Sequence, residues 1–257
     1  MCMPKAKKSL GQHFLHQRSV AERIVRLLEV GPRDRVLEIG PGSGALSALL
    51  KAANPACLLL VEKDSYWATE RRKADEGHVV LMDAMHFAWE RITSERPWKI
   101  IGNLPYNVAS PLLWDIASQA SGLQRAVCML QKEVALRVIA SPDTKNYGAL
   151  SVWLQSFIRP QLVFTVGAGA FTPPPRVDSA VVLCLPLPPA QRAQQPERLA
   201  SLLKMCFQSR RKQLQSIFRM HNKEFALPIL RELDIDPQSR PEHLTPKIFQ
   251  KLSVRLY

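Results

Sequence analysis

The chain has 257 residues, 46% of them hydrophobic, and a formal net charge of +13. That is room for one large domain, or a large and a small one, with enough apolar residues for a sizeable core, which excludes global disorder. A balance this basic points to a polyanionic partner, nucleic acid before membrane, and no apolar run approaches the roughly 20 residues of a membrane span.

The first residues are charged and lack the apolar run of a signal peptide. Ser19 and Glu22 have the spacing of a capping box, and Val20, Ile24, Leu27 and Leu28 behind them predict a helix. A short buried strand follows at 35–40 (RVLEIG), then a helix at 44–53, a strand at 57–62 (CLLLVE) and a polar helix near 65–74. Residues 79–83 (VVLMD) predict a third strand and 98–103 (WKIIGN) a fourth. A helix at 110–119, a strand at 126–130 (AVCML) and a helix at 132–140 complete the alternation. Repeated β-α alternation with continuously apolar strands predicts an open parallel sheet covered on both faces. Residues 162–166 (LVFTV) and 179–185 (SAVVLCL) are expected to add antiparallel edge strands, with the proline-stiffened AFTPPPRVD between them. The Pro/Gln-rich stretch 186–200 is the best boundary, giving domains 1–188 and 189–257, the second wholly helical and basic.

The charge is unevenly placed. Residues 1–35 carry a net +5, residues 36–189 a net +1 and residues 190–257 a net +7. The two ends are therefore the expected polyanion-binding parts. Cys2, Cys57, Cys128, Cys184 and Cys206 show no paired spacing, which argues against disulfides or a zinc site and for a reducing cytoplasm. Nothing suggests more than a monomer.

LEIGPGSGALS (37–47) follows the first strand and opens a helix. Gly40, Gly42 and Gly44 allow backbone to pass close to a ligand, and a loop so placed opens on the crevice beyond the strand ends. Gly40-x-Gly42-x-x-Ala45 also matches the dinucleotide fingerprint, so a nicotinamide enzyme stays open here. Glu62, ending the second strand, stands where a carboxylate reaches ribose hydroxyls. Asp83, ending the third, could accept from an adenine amine, and Glu38 is a further carboxylate at the loop. These residues point to an adenosine, shared by NAD and S-adenosylmethionine, and not to a reaction.

Asn103-Leu104-Pro105-Tyr106 leaves the fourth strand and opens on the same crevice. The exocyclic nitrogen of adenine is a poor nucleophile because its lone pair is delocalised into the ring. Two carbonyl acceptors, the Asn103 side chain and the Leu104 backbone, would draw it toward tetrahedral geometry. Pro105 stiffens the turn that aims them, and Tyr106 offers a face for the base. The electrophile would be a methyl on a sulfonium, with catalysis mainly by positioning and without a metal.

With these residues in view, the chain resembles the ribosomal RNA adenine dimethyltransferase family. The resemblance rests on KKSLGQHFL (7–15), LEIGPGSGALS (37–47), VEKD (61–64), DAM (83–85), GNLPYN (102–107), LQKEVALRV (130–138), YGALSV (147–152), AFTPPPRVDSAVV (170–182) and FQSRRKQL (207–214), in order across nearly the whole chain. It implies a Rossmann-like class I methyltransferase sheet, mostly parallel with an antiparallel edge, and a small all-helical C-terminal domain. The implied activity uses S-adenosylmethionine to dimethylate two adjacent adenosines in a hairpin loop near the 3′ end of small-subunit ribosomal RNA. The cofactor contacts it implies are His13, Leu15, Gly40, Glu62, Asp83 and Asn103, with His13 where Asn is commonest. Phe171 is expected to cover the other face of the target adenine. An immature small ribosomal subunit is the implied partner. A large-subunit methyltransferase and a non-catalytic RNA-binding factor share the fold and are the alternatives. Arg210, Arg211 and Lys212 form a cation run on an expected helix, and within a segment of net +7 they are the expected phosphate contacts, with Lys5, Lys7 and Lys8 as a second set.

Overall fold

The computed structural model describes residues 12–223 and 225–257. A short strand β1 (Phe14–Leu15) leads into helix α1 (Arg18–Leu28), which buries Ala21, Ile24 and Leu28 at helical spacing. The expected capping box does not form. Arg18 is already helical, Gln17 is the N-cap without a side-chain bond, and Glu22 instead accepts from Arg18 Nε at 2.8 Å. Next come β2 (Arg35–Ile39), α2 (Ser47–Ala52), β3 (Cys57–Glu62), α3 (Ser65–Lys73) and β4 (His78–Leu81). Then follow β5 (Trp98–Asn103), α4 (Ala109–Gln119), β6 (Leu123–Gln131) and α5 (Lys132–Val138). The glycine loop delays α2 by three residues. β4 stops at Leu81, leaving Asp83 free to cap a 3-10 turn at Ala84–His86. Helix α6 (Ala149–Gln155) is an addition to the expected elements. It precedes β7 (Ile158–Val166), β8 (Phe171–Thr172) and β9 (Ser179–Pro186).

Among the described residues the strands form one seven-stranded sheet, in the order β4-β3-β2-β5-β6-β9-β7, and a two-stranded ribbon of β1 with β8. The pairs β2–β3, β3–β4, β2–β5 and β5–β6 are parallel, and β9 runs antiparallel to β6. Val36, Leu37, Ile100, Ile101 and the run Ala126–Leu130 are all buried, so the central strands are apolar on both faces, as a doubly covered sheet requires. The strand order reverses between β2 and β5, the topological switch point beyond which open α/β sheets bind ligands. In the ribbon, Phe14 faces Thr172 and Leu15 faces Phe171.

The chain packs as two compact units. One takes in β1 through Ala135 with Pro160–Pro186, the other Leu136–Arg159 with Leu187–Tyr257. The second unit adds α7 (Pro196–Gln208), α8 (Leu214–Met220), α9 (Ala226–Glu232) and α10 (Pro246–Leu256) to α6. Leu199, Leu202, Leu203 and Cys206 of α7, and Phe249, Leu252, Ser253 and Leu256 of α10, repeat one spacing of three, four and seven residues, and all are buried. Thr245 caps α10 by accepting from Ile248 N at 3.3 Å, and Pro246 starts it. Buried Tyr147 donates its hydroxyl to the Leu244 carbonyl at 2.7 Å, tying the α6 segment to this unit's core.

Candidate active site

The carboxyl ends of β2, β3, β4 and β5 open on a single cavity. His13, Leu15, Gly40, Glu62, Asp83, Asn103, Leu104, Pro105 and Tyr106, drawn from separate stretches of sequence, all line it. Phe171 does not. It is 2% exposed, in the core with Leu15, Val166 and Ala170, and its strand holds β1 in place.

Each wall has a physical cause. Gly40 has φ +66°, and a Cβ there would find no protein atom within 4 Å, so the backbone faces open ligand space. Gly44 is closed in the opposite sense. Its φ is +89°, and a Cβ would lie 1.8 Å from Arg71 Nη1, whose ion pair with Glu76 at 2.7 Å lies beneath the loop. Glu62 accepts from Gly42 N at 3.0 Å through Oε2 and from Asp64 N at 2.8 Å through Oε1. Each oxygen keeps a lone pair, and two such positions side by side suit the adjacent hydroxyls of a ribose. Burial raises the pKa of Glu62, and the backbone N–H groups of Asp64, Gly42 and Lys63 oppose the shift. Asp83 accepts from Lys63 Nζ at 2.7 Å and from Met85 N at 3.0 Å, and the lysine bond holds its pKa down. Glu38 also lines the cavity. It is 1% exposed, accepts from Ser47 Oγ at 2.6 Å, and burial pushes its pKa up to about 8. A cation bound beside it would favour the ionised form.

The Asn103–Tyr106 turn is held from three sides. Asn103 Nδ2 donates to the His13 carbonyl at 2.9 Å, which leaves its Oδ1 without a protein donor among the described residues. Leu104 N donates to the Met129 carbonyl at 3.1 Å, while Pro105 O accepts from Val108 N and Ala109 N, both at 3.1 Å, at the start of α4. The Tyr106 hydroxyl bonds Ser179 Oγ at 2.9 Å, and its ring stacks on His13 with centroids 5.4 Å apart. His13 Nδ1 donates to the Pro173 carbonyl at 2.8 Å, since a carbonyl can only accept. Ser47, Lys63 and Ser179 support the site, although no sequence motif assigned them a role in it. Ser179 lies 73 residues from its tyrosine, so only the shared motif around it could have drawn notice.

The cation run sits in the second unit, in the turn between α7 and α8 and not on a helix. Arg210 is committed within that unit: Nε pairs with Glu242, and Nη1 donates to the Lys145 carbonyl at 3.1 Å. Arg211 and Lys212 are exposed. Lys5, Lys7 and Lys8 lie outside the described residues. Among the described residues no three His, Cys, Asp or Glu side chains are grouped to hold a metal ion, and no helix is long and apolar enough to cross a membrane.

The profile described as Ribosomal RNA adenine dimethylase matches residues 3–253. The chain belongs to this family. It is an S-adenosylmethionine-dependent enzyme that dimethylates adenine in ribosomal RNA. A protein of Nitratidesulfovibrio vulgaris (strain DP4) named Ribosomal RNA small subunit methyltransferase A is 54% identical over 96% of this chain and 94% of its own length. One of the same name from Coxiella burnetii (strain RSA 493 / Nine Mile phase I) is 35% identical over 96% of each. A crystal structure of a dimethyladenosine transferase from Plasmodium falciparum superposes with a TM-score of 0.81 at 27% identity, over 93% of this chain and 96% of that one. The 23S rRNA methyltransferase ErmE shares the fold, with a TM-score of 0.68 at 24% identity over 95% and 99%. The fold expected for this family, a mostly parallel sheet with an antiparallel strand beyond β6, is the fold observed.

Proposed function

We propose that this enzyme acts on small-subunit ribosomal RNA, dimethylating two adjacent adenosines in a hairpin loop near its 3′ end within an immature subunit. The relatives named for the small subunit, matched over nearly their whole lengths, support the substrate. The observation that carries the chemistry is the Asn103 amide, pinned through nitrogen so that its oxygen stays open to the cavity.

Gly40, Glu62, Asp83, His13, Leu15 and Asn103 hold S-adenosylmethionine, and the open Gly40 backbone and the spare Glu62 lone pairs fit an adenosine there. When bound, the cofactor supplies a methyl on a sulfonium. Asn103 Oδ1 and the Leu104 carbonyl accept the two N–H bonds of the target amine and draw the nitrogen toward tetrahedral geometry. Pro105 fixes the turn, and Tyr106, held by Ser179, stacks on the base. Phe171 acts from beneath, through β8 and β1, on the placement of His13. Arg211 and Lys212 contact phosphate, while Arg210 positions their turn. The enzyme works as a monomer in the cytoplasm, where the described cysteines, all free, stay reduced.

The deciding experiment measures tritium transfer from labelled S-adenosylmethionine to unmethylated small subunits and to large subunits. Transfer to the small subunit with two adjacent dimethyladenosines near the 3′ end is expected. Transfer to large subunits alone would overturn the substrate.

A further inference from the structure

The described surface exposes two aromatic rings of the second unit, both close to the ammonium of one lysine. Phe225, at the start of α9, is 56% exposed and Tyr257, after α10, is 43% exposed. Lys223 Nζ lies 5.5 Å from the Phe225 centroid and 4.2 Å from that of Tyr257. Met220, 52% exposed at the end of α8, receives Lys212 Nζ at 3.0 Å on its sulfur. Arg219 and His221 are exposed beside it. The Lys223 backbone is fixed: its N donates to the Phe218 carbonyl at 2.8 Å, after Asn222 turns the chain at φ +52°. Lys212 aside, no family motif quoted above reaches these residues.

We propose that Phe225 and Tyr257 form a stacking platform for unpaired bases of the ribosomal RNA, with Lys223 close to both for the phosphate that joins two stacked nucleotides. The proposal rests on the RNA substrate given above and adds a second place where that RNA is held. Large rings left in water on a fixed backbone are costly unless something covers them. A protein partner covering this patch would bury the Lys223 ammonium and would have to supply a matching anion. RNA brings both requirements together, since every base has a π face and every nucleotide a phosphate. The segment is also the one with a net +7.

The test compares wild type with Phe225→Ala, Tyr257→Ala, the double variant and Tyr257→Phe. Dissociation constants are measured over a salt series for unmethylated small subunits and for protein-free small-subunit rRNA. Each alanine should weaken both affinities roughly five- to hundred-fold. The slope of affinity against salt should not change, because a ring releases no counterions. Tyr257→Phe should bind like wild type. Wild-type affinity in the double variant, if folded by its melting curve, would overturn the platform. So would a loss confined to subunits with protein-free RNA unaffected, which would assign the patch to a ribosomal protein. Ring-dependent binding without any methyl transfer by wild type would sink the catalytic reading alone; methyl transfer with ring-independent binding would sink the platform alone.

Discussion

A carbonyl oxygen cannot donate, so the bond to the His13 carbonyl decides which end of the Asn103 amide faces the cavity. That makes Asn103→Ala a sharp probe. Turnover should fall by on the order of 10²–10³, while RNA affinity stays near wild type, because in the proposed role the lost acceptor acts on the amine as it becomes tetrahedral. Single-turnover rates with separate binding measurements check this. Glu38 yields a pH prediction. Its folded pKa of about 8 lies above the ordinary glutamate value of 4.5, so between those pH values the folded state keeps a proton that the unfolded state has lost. Its contribution to stability is therefore fully present below that window and is lost as pH rises through it. Melting curves from pH 4.5 to 8.5 should show wild type losing ground to Glu38→Gln by an amount on the order of a few kcal/mol. A constant difference between the two would contradict the shift. Residues of this kind were legible because they end strands within recognisable stretches. The places of Phe171 and Arg210 were not: one is set by a strand pairing, the other by Glu242, 32 residues away.

The glycine loop and α3 are matched elements. Arg71 lies so close against Gly44 that a side chain there would have to displace its guanidinium, and the positive φ adds strain for any other residue. Gly44→Ala should cost about 1–3 kcal/mol in stability and weaken S-adenosylmethionine binding; melting and calorimetry together check it, and unchanged values in both would refute the close approach. The apolar runs of β2, β3, β5 and β6 announced their strands because burial on both faces demands continuous hydrophobicity. Helix α6 was hidden for the same reason. Leu150 through Leu154 are all buried, so its sequence carries no polar face to give a helical period. The cation run misled in the opposite way. Its residues favour a helix locally, but Leu214 N donates to the Ser239 carbonyl and Lys212 N to that of Ser209, which hold a turn there.

At the scale of the whole molecule the labour is divided: among the described residues the cavity is lined only by those of the first unit, and the largest net charge is in residues 190–257. Arg211→Glu with Lys212→Glu should flatten the salt slope of subunit binding by roughly 0.7–0.9 for each phosphate no longer neutralised and leave cofactor affinity unchanged. Arg210→Glu should behave differently, lowering the melting temperature by setting a second carboxylate against Glu242. Equal melting of the two variants would place Arg210 with its neighbours as a surface charge. The ribbon of β1 with β8 has a consequence for how the enzyme is made. Leu15 beside the cavity pairs with Phe171, a residue 156 positions later. At about 5–20 residues per second a ribosome needs roughly 8–30 s to reach it. By the end of that interval the nascent chain already carries the glycine loop and the Asn103 turn, yet His13 still lacks the strand that seats it. The newborn enzyme thus stays unfinished at the mouth of its cavity until most of its first unit has been translated.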